Sequence, residues 1–302
     1  MKAPRSVRRL WTALSALVIF GLIAYLYFVF SGSYHLLIFL FNYPGAAFLI
    51  LVTGAEAYFA FRALQLFGRG EPMRTSWTLI FLSACCSLTG AALTQVLSAQ
   101  IPWNPLVMLN ALPPAKSEVM RGLGLVVSGP VAMALLAAGL ARVIALQRRL
   151  DILYRLSALD KAAIVLLWLF AVAESVEIGR LLLVDHLRPS AAQAILWLSD
   201  PLLAVLLVEA VSLRRSVLNM GQGLVARCWG VMALGVTCTA AGDVILSADW
   251  HGYIPPLLKP IGWFVWFFAA TAYASAPCYQ IEAARVAHEG SYSGLRKGTS
   301  AS

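Results

Sequence analysis

Residues 10–30 read LWTALSALVIFGLIAYLYFVF, twenty-one positions without a charged side chain. A helix rises about 1.5 Å per residue, so this stretch extends about 30 Å, the thickness of the hydrocarbon core of a bilayer. Lys2, Arg5, Arg8 and Arg9 precede it. A basic start before an apolar run is also the layout of a secretory signal peptide, but the apolar part of such a peptide is only about 7–15 residues long. The length of the run, its bulky aromatic content and the weak Ser31-Gly32-Ser33 cleavage signal favour an uncleaved first span.

The same texture recurs along the chain. Apolar segments at 44–67, 77–97, 122–146, 162–184, 194–213, 225–246 and 260–279 bring the predicted spans to eight. The composition agrees: 60% of the 302 residues are apolar and 12% charged, against about 25% charged in an ordinary soluble domain. Too few polar side chains remain to wet a surface, so most of the exterior faces lipid. The expected fold is an all-α membrane protein of eight transmembrane helices, with the lipid bilayer as its main partner.

The +9 charge is placed as a topology signal and not as a nucleic-acid surface. With the N-terminus in the cytoplasm, 18 of the 23 Lys and Arg residues fall on cytoplasmic segments; only Lys116, Arg121, Arg180, Arg188 and Lys259 do not. That bias predicts both termini inside, in an inner (plasma) membrane. Trp103, Trp197, Trp250 and Tyr253 mark the outer boundary, where amphipathic rings collect.

Two runs share spacing. Trp77, Leu82, Cys86 and Gly90 stand at offsets 0, 5, 9 and 13, as do Trp229, Leu234, Cys238 and Gly242. Gly68-x-Gly70 and Gly221-x-Gly223 precede them, and Asn42-Tyr43-Pro44 and Ser199-Asp200-Pro201 lie further upstream. This order predicts a four-plus-four parallel repeat, residues 1–150 and 151–281, with a polar, disordered cytoplasmic tail at 282–302.

Ionisable residues at membrane depth are costly unless paired or hydrated, so they are the candidates for a ligand or ion site. They are Glu56 in the second span, Glu174, Glu177 and Arg180 in the fifth, and Asp243 in the seventh, where the matching first-half position is Ala91. Arg180 stands at i+3 from Glu177, a spacing that permits an ion pair. Glu209 lies near Arg214, which offers it a partner at the inner boundary. Asp243 reads in two ways: as part of a working site shared with the acids of the fifth span, or as packing glue bonded to a neighbouring helix. None of the four histidines is mid-span, and no metal, phosphate-loop or nucleophile–base motif is visible. The five cysteines lie in or beside spans without C-x-x-C spacing. The expectation is therefore no catalytic residue, no metal and no cofactor.

The run from Trp229 through Leu234 to Gly242-Asp243-Val244-Ile245, then a Pro-containing loop and Gly262-Trp263-Phe264, covers about 55 residues. It resembles the multi-span N-terminal sensory regions of bacterial diguanylate cyclases and sensor kinases, with a fainter echo around Trp77 to Gly90. No cyclase or kinase domain follows Tyr279. The resemblance thus implies a sensory, regulatory or ligand-binding domain that signals through a membrane or cytoplasmic protein partner. The repeat and the acids keep two alternatives open: a secondary transporter, or a structural subunit of a larger membrane complex.

Overall fold

The computed structural model describes residues 3–33, 35–94, 122–150, 157–183, 191–218, 223–250 and 259–298; within the helices some side chains, including those of Asn42, Glu174, Glu177 and Trp263, lie outside the description. The described chain is helical. α1 is Arg5–Ser31 and α2 covers 35–64, built from His35–Leu40, a π turn at Phe41–Gly45 and Ala46–Leu64. α3 is Pro72–Ala92, α4 is Gly122–Arg149 with a π turn at Val127–Val131, and α5 is Ala158–Leu183. α6 is Ala191–Leu218, α7 is Leu224–Trp250 and α8 is Lys259–Gly298.

Among the described residues, five helices are long and apolar enough to cross a membrane: Arg5–Ser31, Tyr43–Leu64, Pro72–Ala92, Gly122–Arg149 and Leu224–Ile245. Large apolar side chains also face outward on the bundle. Ile19, Leu22, Ile23 and Phe30 on α1 are exposed, as are Val165, Leu166, Leu169 and Val176 on α5. Apolar faces of that extent do not persist in water. The chain is accordingly a helical membrane protein.

Local chemistry sets the helix ends. α1 stops at Gly32, whose φ of 68° is the left-handed cap geometry open to glycine, and whose N–H donates to the Phe28 carbonyl at 2.8 Å. α3 starts on Pro72, which needs no N–H in the first turn. The Arg74 guanidinium ties that turn down by donating to the Phe67 carbonyl at 3.0 Å. At the start of α5, Ser157 and Asp160 cap each other: the Ser157 N–H and hydroxyl donate to Asp160 Oδ2 at 3.0 and 2.7 Å, and the Asp160 N–H donates to Ser157 Oγ at 3.2 Å. Arg215 at the end of α6 adds an ion pair to Asp160 at 3.2 Å.

Three helices run past positions where composition predicts an end or a break. Pro44 was expected to open the second span, yet helix begins at His35 and a π turn carries it through Pro44. Pro130 is absorbed in the same way in α4. Proline removes an N–H and crowds the preceding turn, and the wider π turn gives the ring room without ending the helix. Helix α8 continues to Gly298, beyond the point after Ile281 where composition turns polar. Glu282, Ala283, Ala284 and Arg285 are sound helix formers, and Arg285 donates to Glu282 at 2.6 Å.

Six helices pack in a closed order: α2 on α3, α3 on α4, α4 on α6, α6 on α7, α7 on α8, and α8 on α2. α1 lies outside against α8 and the first turns of α2, and α5 lies outside against α6. Small residues allow the close approaches. A Cβ on Gly90 would meet the Gly124 carbonyl at 2.6 Å, and one on Gly235 or Gly242 would meet the Tyr273 ring at 2.8 Å or Trp266 Nε1 at 2.9 Å. Across the interior, Trp77 of α3 and Trp229 of α7 pack ring to ring at 6.1 Å, both buried. Each is five residues into its helix, so the pair lies at one level, about 8 Å from the Arg-rich ends of α3 and α7.

Candidate functional site

The site begins at Asp243 in α7. Its side chain is 5% exposed, and its Oδ2 has no hydrogen-bond partner. Gly242 beside it holds α7 close against Trp266 of α8, which turns this stretch of α7 into the interior of the bundle. A buried, unpartnered carboxylate oxygen loses its hydration without replacement, a penalty of several kcal/mol for an ion. Such a group is either held protonated or met by something that compensates its charge.

Among the described residues, a charged companion of Asp243 is another acid. Asp200 of α6 stands within Coulombic range of Asp243, in the same packed pair of helices. By helical rise, Asp200 lies about 27 Å and Asp243 about 28 Å from the Arg-rich ends of α6 and α7, the same level in the bundle. Asp200 precedes Pro201, and Pro201 deprives α6 of one backbone hydrogen bond at that level. Two acids beside a proline within a helix bring two carboxyl groups to one level, where the proline frees one backbone carbonyl.

Below this pair, one turn along the same face of α7, Thr239 is buried. Its hydroxyl and that of Tyr273 on α8 share a hydrogen bond of 3.1 Å, and Thr239 also donates to the Gly235 carbonyl at 3.0 Å. Gly235 is what admits the Tyr273 ring to α7. Tyr273 in turn lies within Coulombic range of two acids, Asp243 and Glu56. Glu56, on α2 eight residues before Leu64, is partly buried and faces Cys85 of α3 as well as Tyr273. It lies about 12 Å from the Arg-rich end of α2.

Of the residues singled out from sequence, Asp243 and Glu56 are thus brought around one tyrosine, each in range of it. Arg180 is exposed on α5, a helix that packs on α6. The side chains of Glu174 and Glu177 lie outside the described residues. Glu209 departs from the local pairing anticipated for it: its Oε2 is buried without a hydrogen bond, while Arg214 is exposed. Trp77 Nε1 and Gln147 Oε1 are two further buried polar atoms without a partner, both toward the Arg-rich end.

Sequence reading passed over Asp200, Thr239 and Tyr273. Asp200 entered only as a repeat landmark, although an Asp inside an apolar helix carries the same signal as Asp243. Tyr273 is the one phenol in the small-residue run ATAYASAP, a visible anomaly once helix packing is considered. Thr239 carried no signal, because threonine in a membrane helix bonds to its own backbone by default. Among the described residues, no group of three His, Cys, Asp or Glu side chains is disposed to hold a metal ion. The arrangement sets an unpartnered carboxyl oxygen of Asp243 one turn from the Thr239–Tyr273 hydrogen bond. Comparison with protein-family models, with curated proteins and with solved structures returns no match that would place the chain in a family.

Proposed function

We propose that the chain is an eight-span protein of an inner (plasma) membrane, with both termini cytoplasmic and two four-helix halves, and that it is a secondary transporter with an acidic intramembrane site. The observation that carries this reading is the buried, unpartnered Oδ2 of Asp243 next to Asp200. Two facing acids in an apolar interior attract a cation or share a proton, and transporters place such sites where helices are interrupted near the repeat interface. Supporting the duplication, α2–α3–α4 follow the same packing order as α6–α7–α8, and proline lies inside both α2 and α6 at the paired landmarks Pro44 and Pro201.

A sensory or regulatory role through a partner protein would use the same site. It is favoured by the likeness of Trp229 to Phe264 to bacterial sensory regions. Charge movement separates the two roles. Protein reconstituted in liposomes on a capacitive electrode is challenged with jumps in pH, in Na⁺ and K⁺, and in small alkylammonium ions. A transporter gives sustained currents in at least one condition, at least tenfold smaller in Asp243→Asn at equal folded protein. A sensor gives at most a brief binding transient. Equal currents in wild type and Asp243→Asn overturn the site itself. Reporter fusions near Pro105, His186 and Trp250 should read outside, and those after Arg69, Arg149, Met220 and Ser302 inside; one reversal removes the eight-span topology.

A further inference from the structure

At the Arg-rich end of the bundle, away from Asp243, the start of α1 and the second half of α8 border a cavity of about 500 Å³ together with α2. That volume falls in the range of about 300–1,000 Å³ usual for small-molecule sites. Its walls come from both ends of the chain: Arg5 and Ser6 from α1, Phe59 from α2, and Ile281, Glu282 and Arg285 from α8. The cavity is apolar at its base and charged at its mouth. Phe59 and Ile281 are partly buried and pack against the main core, so they make an apolar floor. Arg5 and Arg285 are exposed and make a cationic rim.

Arginines at a membrane boundary ordinarily extend into water and set topology. Arg8 and Arg9, exposed on α1, fit that description, and neither lines the cavity. Arg5 and Arg285 differ, because opposite ends of the sequence bring them to one hollow with an apolar floor. Arg285 donates to Glu282 at 2.6 Å. A guanidinium has five N–H donors in a planar fork, so it can hold Glu282 and a second anion together. The first turn of α1 contains no acid and has no side-chain cap. Its backbone N–H groups add to the donors that the arginines supply.

We propose that this cavity binds the phosphate of an anionic phospholipid, with the headgroup on Arg5 and Arg285 and the start of the acyl chains over Phe59 and Ile281. A cationic rim above an apolar floor matches an amphiphile at the interface, whereas a free phosphate uses the rim alone. The lipid bridges α1, which lies outside the closed ring of helices, to α8, and so ties the first helix to the last. The inference stands independently of the reading of Asp243.

The test is the thermal unfolding midpoint of the full-length protein in dodecyl maltoside, titrated with dioleoyl phosphatidylglycerol, dioleoyl phosphatidylcholine or inorganic phosphate. A ligand that binds only the folded state raises the midpoint with its concentration, and the titration gives Kd. Phosphatidylglycerol should give such a rise; phosphatidylcholine, whose choline offsets the phosphate charge, should give little. Arg5→Gln and Arg285→Gln should each raise Kd at least about tenfold, the scale of one charged hydrogen bond. The double variant Arg8→Gln/Arg9→Gln removes more charge from the same helix end and should change Kd less than about threefold, the scale of a screened surface charge. Glu282→Gln should tighten binding by removing a negative charge from the rim, and Glu71→Gln, at an exposed acid before α3, should not. Equal Kd in wild type, Arg5→Gln and Arg285→Gln overturns the site, as does an equal loss in Arg8→Gln/Arg9→Gln. A rise with inorganic phosphate that matches the lipid's and competes with it overturns the lipid as the source. No rise with phosphatidylglycerol overturns the proposal altogether. Should Arg5→Gln fail to insert, Arg285→Gln and Glu282→Gln decide the question, because binding must move in opposite directions in the two.

Discussion

In α3, Trp77 and Gly90 bracket a helix that continues into Ala91; in α7, Trp229 and Gly242 bracket one that continues into Asp243. The tryptophans of the two helices meet each other at 6.1 Å, and each glycine lies where its helix touches the next one in the chain. Ala91 and Asp243 are both 5% exposed. The two helices thus share their packing and differ in what they bury at the same place, a methyl group in one and a carboxylate in the other. A shared scaffold with chemistry on one side only is how a duplicated bundle acquires an asymmetric interior. The flanking helices differ as well: α1 is lodged against both α8 and α2, whereas α5 rests on α6.

The comparison breaks most severely at the shared element. Trp77→Ala empties a fully buried position at the contact between α3 and α7, and loss of a buried tryptophan typically costs about 3–5 kcal/mol. Thermal unfolding in detergent should place Trp77→Ala and Trp229→Ala among the least stable variants, with a double mutant that loses less than the sum. Full additivity would mean that the two rings do not act as one contact.

The glycines sharpen the contrast between the helices. At Gly90 an added side chain strikes the backbone carbonyl of Gly124 at 2.6 Å, so α3 and α4 must separate. At Gly242 it strikes the Trp266 ring, which a rotamer change can move. Gly90→Val should lower stability by about 3 kcal/mol and Gly242→Val by about 1 kcal/mol, the two ends of the usual overpacking range. Equal losses would place the α7–α8 contact on backbone after all.

Exchanging the chemistry tests the difference itself. Asp243→Ala installs the residue of α3 and removes a buried carboxylate oxygen without a partner. It should leave stability unchanged or raise it by about 1 kcal/mol while abolishing charge movement. Destabilisation with charge movement retained would assign Asp243 to packing.

The smallest effect belongs to the outer helices. Hydrogen bonds from Ser157, followed by Arg215, hold the Asp160 carboxyl below the ordinary Asp range at the start of α5. A lowered folded value means that the contribution is complete above the ordinary value, near pH 4. It is lost as pH falls through the lower folded value. The stability gap between wild type and Asp160→Ala should therefore be constant from pH 7 to pH 5 and close below pH 4. An unchanged gap at pH 2.5 would show that the carboxylate charge contributes nothing there.

Helix placement was legible because it depends on length and solvent. A span of about 20 apolar residues has no other stable form in lipid, and ends marked by Gly32 or Pro72 are local. The expected start at Pro44 was late by nine residues, because a π turn, not visible in composition, absorbs the proline and the helix begins at His35. Asp243 and Glu56 were legible as ionisable residues in apolar helices. Their common neighbour Tyr273 was not, because which side chains meet depends on how each helix is rotated about its axis.

By itself the sequence determined that this is a helical membrane protein and where its long helices run, since partitioning into lipid follows from summed apolar surface along the chain. Only the tertiary structure decided that Asp243 comes within range of Asp200, that Tyr273 comes within range of both Asp243 and Glu56, and that Trp77 meets Trp229. The reason is that interior and lipid-facing sides of such helices are equally apolar, so no amphipathic stripe records which face turns inward. That choice falls to the close packing of glycines such as Gly235 and Gly242, and contacts of that kind exist only once the helices have met.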